Sequence, residues 1–244
     1  MRLPYNDLLN DAAALIRAQR PILVALAGAF FFLPSLLVGY LIPLEMTAGE
    51  SVFEAVPRYA AEHWPAIIIF NLVQMLGTLT ILRLFLRRDG RTVGGAIAAS
   101  LALLPVYFVA RAAGNIAVVM AGLAFAVPGI WLLGRLALLG AVMVAEDVRS
   151  PIEAFRRSFA LTRGHGFAVA GIFIVVFALG WLIAGIATAA FGSIAILAAG
   201  RGPGLLAAAA ASAVVGAATG VLLVALAAVV YRRLGAGAAA TVSR

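Results

Sequence analysis

The stretch PGIWLLGRLALLGAVMVAEDVRSPIEAFRRSFALTRGHGF, residues 128–167, decides how the chain is read. It begins inside an apolar helix, passes Arg135, turns at Glu146 and Asp147, and re-enters an apolar phase at Phe167. Between the turn and the re-entry lies an amphipathic helix over residues 150–163. Ser150 suits the N-cap, Pro151 the first helical position, and Glu153 completes a capping box. At ~100° per residue, Leu161, Ala154, Ser158, Thr162, Phe155, Phe159 and Ile152 share one half of this helix. Arg163, Arg156, Glu153 and Arg157 share the other, with Ala160. Ser158 and Thr162, four apart, thus fall in the middle of the apolar half. Gly164 and Gly166 end the helix. An arginine-bearing helix of this kind lies at a membrane surface, its apolar side down or against a transmembrane bundle. A connecting helix that only sets spacing is the alternative.

Composition points the same way. Of 244 residues 64% are hydrophobic and 11% charged, with a mean hydropathy of +1.10. A soluble domain of this size has too little interior to hide so much apolar surface, so an integral membrane protein is expected. The chain has no cysteine, which excludes disulfides and thiolate metal sites. All 18 basic residues are arginine, and the net charge is +8. In a membrane protein such charge belongs to the interface, and no nucleic-acid partner is expected.

Six apolar stretches, 21–42, 65–86, 93–109, 116–139, 167–191 and 205–231, are read as spans against the ~20 residues a bilayer needs. The expected fold is therefore all-α and polytopic. It is a single membrane domain over 1–244 with six transmembrane helices and two cytoplasmic amphipathic helices, 5–20 and 150–163. In the first of these, Leu8, Leu9, Ala12, Leu15 and Ile16 share one side, and its acidity argues against a signal peptide. The loop after the first span is acidic, with Glu45, Glu50, Glu54 and Glu62 facing Arg58. Residues 111–115 read as a tight turn and 200–204 as another. Pro128-Gly129 reads as a kink inside the fourth span, packed on protein and not on lipid.

Alternate loops carry Arg2, Arg17, Arg20, Arg83, Arg87, Arg88, Arg91, Arg135, Arg149, Arg156, Arg157, Arg163, Arg232, Arg233 and Arg244. The other side holds Arg58, Arg111 and Arg201. The positive-inside rule then places both termini in the cytoplasm. Two amphipathic helices each leading into a span also hint at an internal duplication.

Polar groups within the spans are few. Asn71, Gln74 and Thr78 form a stripe on the second span that needs either another helix or a wet path. Gly216 and Gly220 allow close backbone contact on the sixth. Arg135 is expected to snorkel to lipid phosphates, with Ser158 or Thr162 as the alternative partner. Glu146 and Asp147 lie within reach of Arg149 or Arg156, and Arg156, Arg157 and Arg163 are expected at lipid headgroups. Only His63 and His165 are present, on opposite predicted sides, and no phosphate loop, nucleophile elbow or HExxH motif appears. No catalytic residues, cofactor or metal site are expected.

Pro128-Gly129-Ile130, Arg135, Glu146, Ala154, Ser158, Leu161-Thr162 and Gly164 resemble the "PGI…R…E…A…S…LT.G" signature of a bacterial membrane-protein family. Its members are described as similar to the membrane domain of glycerophosphoryl diester phosphodiesterase. The resemblance covers about forty residues, with Phe167 where tryptophan often stands. It implies a multi-pass protein of the bacterial cytoplasmic membrane and carries over no hydrolase activity, since this sequence holds no phosphodiesterase domain. The expected function is non-catalytic, either lipid-related or membrane-scaffolding. Anionic membrane lipids, membrane-protein partners or a second copy of the chain are the expected partners. A small transporter or channel using the Asn71, Gln74 and Thr78 stripe is the alternative.

Overall fold

The computed structural model describes residues 4–44, 47, 49–87 and 92–242. Arg2, Glu45, Arg88, Arg91 and Arg244 lie outside the described residues. In chain order the helices are α1 (Tyr5–Ala18), α2 (Arg20–Ala27), α3 (Leu33–Leu41), α4 (Val52–Leu86) and α5 (Val93–Ala124). They continue with α6 (Ala126–Leu136), α7 (Leu139–Ala145), α8 (Pro151–Leu161), α9 (Gly166–Ala199) and α10 (Arg201–Val242). No strand occurs among the described residues. The protein is all-α, and six helical stretches are long and apolar enough to cross a membrane: Arg20–Leu41, Val52–Leu86, Val93–Ala124, Ala126–Ala145, Gly166–Ala199 and Arg201–Ala236.

Prolines account for most irregularities. A single π turn, Gly28–Phe32, joins α2 to α3. Pro34 has no N–H for Phe30 and crowds that carbonyl, which widens the turn. His63 leaves helical geometry inside α4 (φ −118°, ψ 19°), two residues before Pro65. The acidic stretch ahead of it, expected as a loop, is helical from Val52. Its N-terminus is held by Glu54, whose carboxylate accepts from the Ser51 N–H (2.9 Å) and hydroxyl (2.9 Å).

The largest departure concerns the third and fourth spans. Residues 111–115 are not a turn: α5 runs through them, and Arg111 is exposed on its side. Ala112 and Ala113 favour helix, and Gly114 is there for packing. A Cβ on Gly114 would meet Leu136 at 3.2 Å and Phe155 at 3.5 Å. The chain breaks instead at Phe125 (φ −157°, ψ 137°), three residues before Pro128. The Pro128 ring would clash with the carbonyl of Ala124, so the helix ends there and α6 restarts with proline in its first turn. The expected packing on protein is also overturned. Phe125 is 74% and Val127 62% exposed, and only Gly129 packs closely, a Cβ there falling 2.8 Å from the Gly122 backbone.

The chain forms two compact units, one of Met1–Leu23, Thr78–Ala178 and Val221–Arg244, the other of Val24–Gly77 and Leu179–Gly220. In the first, α7 is buried from Leu139 through Val144. A Cβ on Gly140 would touch Leu82 (3.1 Å) and the Tyr107 hydroxyl (3.2 Å), so neighbouring helices approach closely there. In the second unit Gly200 (φ +89°) alone makes the turn between α9 and α10, shorter than the five residues expected. Close glycine contacts recur along that hairpin: Gly204 on Ile196, Gly192 on Ala208 and Gly180 on Thr219. Gly216 faces open space, with nothing within 4 Å of where a Cβ would stand, whereas Gly220 packs on Phe31. Gly216 and Gly220 therefore do not act as the joint contact expected of them.

Glu50 precedes α4, and Arg58 and Thr47 bind its carboxylate. The Arg58 guanidinium hydrogen-bonds it at 2.9 Å and the Thr47 N–H at 2.9 Å. Together with the Thr47 hydroxyl they lower its pKa from 4.5 to about 2. A depressed carboxylate contributes stability that is present above 4.5 and is lost as pH falls through about 2. Glu50→Gln should therefore speed amide exchange around Ser51–Ala55 at neutral pH, and the difference from the parent should vanish near pH 2. In the hairpin, Gly204→Ala would drive a methyl into Ile196 Cγ1 and place it 3.0 Å from the Ile196 backbone N. That overpacking should cost ~1–3 kcal/mol in detergent unfolding, whereas Gly216→Ala should be neutral or stabilising; equal effects would contradict the hairpin.

Candidate functional site

The residues singled out by the sequence converge where α6 meets α8. Both helices end there, and the last four carbonyls of a helix have no partner within it. The Ser158 hydroxyl donates to the Arg135 carbonyl (2.6 Å), and Arg135 Nη1 donates to the Phe159 carbonyl (2.5 Å). Each helix thus satisfies the other's C-terminal end, and the arginine's charge is favourable against that end of the dipole. The guanidinium carbon also stacks 4.7 Å from the Trp131 ring centroid and 5.6 Å from that of Phe159. The two rings meet edge to face at 6.0 Å. Gly134 brings the start of α9 to the same point, since a Cβ there would run into the Gly166 carbonyl oxygen.

Arg135 therefore does not snorkel away from the protein. The two rings and the Phe159 carbonyl retain the guanidinium because they desolvate and bond it at once. Ser158, Thr162 and Ala154 are fully buried, so the apolar half of α8 docks on helices. Thr162 bonds back to the Ser158 carbonyl (2.7 Å) and not to Arg135. Ser150 takes the N-cap position but makes no side-chain cap bond, so the capping box with Glu153 does not form. Ile152, placed on the apolar half, is 79% exposed at the first turn. Gly164 adopts φ +78° after the helix, the conformation a C-terminal glycine supplies.

Glu146 ties α8 down a second time. It accepts from Arg157 Nε (2.7 Å) and from the Tyr231 hydroxyl (2.9 Å). Arg157 is thus bonded to Glu146 while its side chain stays 54% exposed. Asp147 stands in left-handed backbone (φ +53°), which aspartate tolerates better than most residues. It faces Arg149, as the sequence allows, but also Arg83 and Arg87. Those two lie some sixty residues away, and no spacing rule joins them to Asp147.

The remaining candidates separate from this junction. Pro128 and Gly129 sit at the opposite end of α6. Asn71 returns its amide to the Ile67 carbonyl of its own helix (2.8 Å), and Gln74 donates to the Ser35 hydroxyl (3.3 Å). Thr78 also has an interaction partner. Gln74 thereby acts as a tie between α3 and α4. Among the described residues no three His, Asp or Glu side chains cluster as a metal site.

Compared with known proteins, the chain matches no family model, no curated protein and no solved structure.

Ser158→Leu should lower stability in detergent by ~1–3 kcal/mol through overpacking and the orphaned Arg135 carbonyl. Arg157→Ala breaks a half-exposed ion pair and should cost no more than ~1 kcal/mol. Thermal unfolding of both variants in one detergent checks the order; a more damaging Arg157→Ala would mean that α8 docks by its charged side.

Proposed function

We propose that this is a non-catalytic protein of a bacterial cytoplasmic membrane that engages anionic lipid through α8, in a lipid-handling or scaffolding role. The observation that carries the reading is the two-sidedness of α8. Its inner side is fixed by Ala154 and Ser158, while Arg156 and Arg163 are exposed and form no ion pair among the described residues. Exposed Ile152 and Phe167 flank them, giving the mix of arginine and apolar side chains that an interfacial helix uses. The concentration of arginine in alternate loops, against Arg58, Arg111 and Arg201 on the other side, supports a cytoplasmic location for both termini. The family likeness of the central residues belongs to the same proposal. Gln74 and Asn71 make their bonds within the protein, which favours this reading over a transport path.

The test is lipid retention by the purified protein in nanodiscs of phosphatidylcholine with and without phosphatidylglycerol, read by native mass spectrometry. The parent should enrich phosphatidylglycerol. Each arginine at an anionic surface is worth about 1 kcal/mol, so Arg156→Ala with Arg163→Ala should cut the enrichment by about thirtyfold at unchanged thermal stability. No enrichment, or enrichment that survives the double variant, would remove the proposal.

A further inference from the structure

Asp147, between α7 and α8, is surrounded by more positive charge than it can neutralise. Its Oδ1 lies 3.8 Å from Arg83 Nη2 and 3.8 Å from Arg87 Nη1, and its Oδ2 lies 3.7 Å from Arg149 Nη2. All three distances exceed hydrogen-bonding range. One carboxylate offers two oxygens, whereas each guanidinium carries five donors in a fixed fork. The three cations differ in depth. The Arg83 side chain is 5% exposed and also donates to the Ala99 carbonyl (3.2 Å), Arg87 is 32% exposed and Arg149 72%. The cluster thus runs from the interior to the surface, and among the described residues its three guanidinium groups and one carboxylate sum to +2. Arg83 stands in the last turn of α4, where its charge also complements the helix C-terminus. A left-handed aspartate at the centre is a second unusual feature of the same spot.

We propose that Arg83, Arg87 and Arg149 form a phosphate-binding site in which Asp147 offsets the repulsion between the guanidinium groups until the anion enters. A phosphate ester supplies the oxygens that the carboxylate lacks, and planar guanidinium forks match its geometry. Arg87 and Arg149 provide the accessible donors, with Arg83 behind them. The phosphate comes from a lipid headgroup or from a free phosphorylated molecule. The lipid source rests on the reading of the preceding subsection; the phosphate chemistry does not, because Arg156 and Arg163 take no part in it.

The experiment titrates the purified protein in neutral detergent with inorganic phosphate and glycerol 3-phosphate by calorimetry. In parallel, phosphatidylglycerol retention is counted in nanodiscs. Arg87→Ala and Arg149→Ala should each weaken binding about fivefold, the factor for one arginine at an anion. Asp147→Asn should tighten binding by a similar factor, since it removes the internal competitor. Asp147→Gly should do the same and accepts the left-handed backbone without strain, so a folding defect in the Asn variant does not decide the matter. Arg201→Ala should change nothing. Response to the soluble probes assigns a free phosphate ligand, and response to phosphatidylglycerol alone assigns a headgroup; either supports the site. Absence of binding to every probe overturns it, as does indifference to both arginine variants or weaker binding in both Asp147 variants. If the Arg156 and Arg163 pair fails in its own test while these variants respond, only the surface-helix reading falls.

Discussion

A membrane-spanning chain must satisfy its backbone without help from lipid, and this protein's structure depends on how it treats the carbonyls at helix C-termini. A side chain from elsewhere in the fold takes them repeatedly. Ser158 takes the Arg135 carbonyl and Arg135 takes that of Phe159. Gln19 reaches the Leu84 carbonyl (3.4 Å) and Arg232 that of Phe85, both in the last turn of α4. In the second unit the Tyr59 hydroxyl donates to the carbonyl of Ile42, just past α3 (2.8 Å). Without water these oxygens would each cost several kcal/mol. Several of the sparse polar side chains of an apolar sequence thus meet the ends of helices.

The same constraint separates what is legible in the sequence from what is not. Apolar runs and amphipathic periodicity are local quantities, so the all-α class, the number of candidate spans and the inward face of α8 follow from them. Ser158 is legible as an inward hydroxyl because of its position on the wheel alone. Arg135 as its partner is legible only as an alternative to snorkelling, and the bonding atom is not: the acceptor is Arg135's own carbonyl. The break between α5 and α6 escapes such a reading for a definable reason. Polar residues at 111–115 mimic a turn, but helix termination is governed by the proline four residues beyond Ala124. Arg83 and Arg87 beside Asp147 and the Tyr231 bond to Glu146 depend on tertiary proximity across 60 to 85 residues, which no periodicity encodes.

Charge on this molecule falls into two kinds. Arg135, Arg157 and Arg233 are anchored: Arg135 by aromatic rings and a carbonyl, Arg157 by Glu146, and Arg233 by Asp11 at 2.5 Å. These orient helices, and their exposed ion pairs add little energy singly. Arg156 and Arg163 on α8, by contrast, point outward without carboxylate partners among the described residues, and Asp147 is outnumbered by its cations. A protein with 18 arginines and 10 carboxylates has to place its surplus charge where solvent, lipid or ligand neutralises it.

The element order amphipathic helix, span, span occurs twice, as α1 with α2–α3 and α4, and as α8 with α9 and α10. The buried positions of the two amphipathic helices are also spaced alike: Leu8 and Ala12 on α1, Ala154 and Ser158 on α8. Ala12 and Ser158 are equivalent in this spacing and both are fully buried, yet only one carries a hydroxyl. The difference follows from what each meets. α8 docks on the end of α6, where the break before α7 leaves the Arg135 carbonyl in need of a donor. Ala12 makes no hydrogen bond with its side chain, and α1 leaves its polar ties to Gln19, beyond its last turn, and to Asp11 at its edge. Both amphipathic helices thus keep small residues for close approach, and a hydroxyl donor stands only where a helix stops short beneath it.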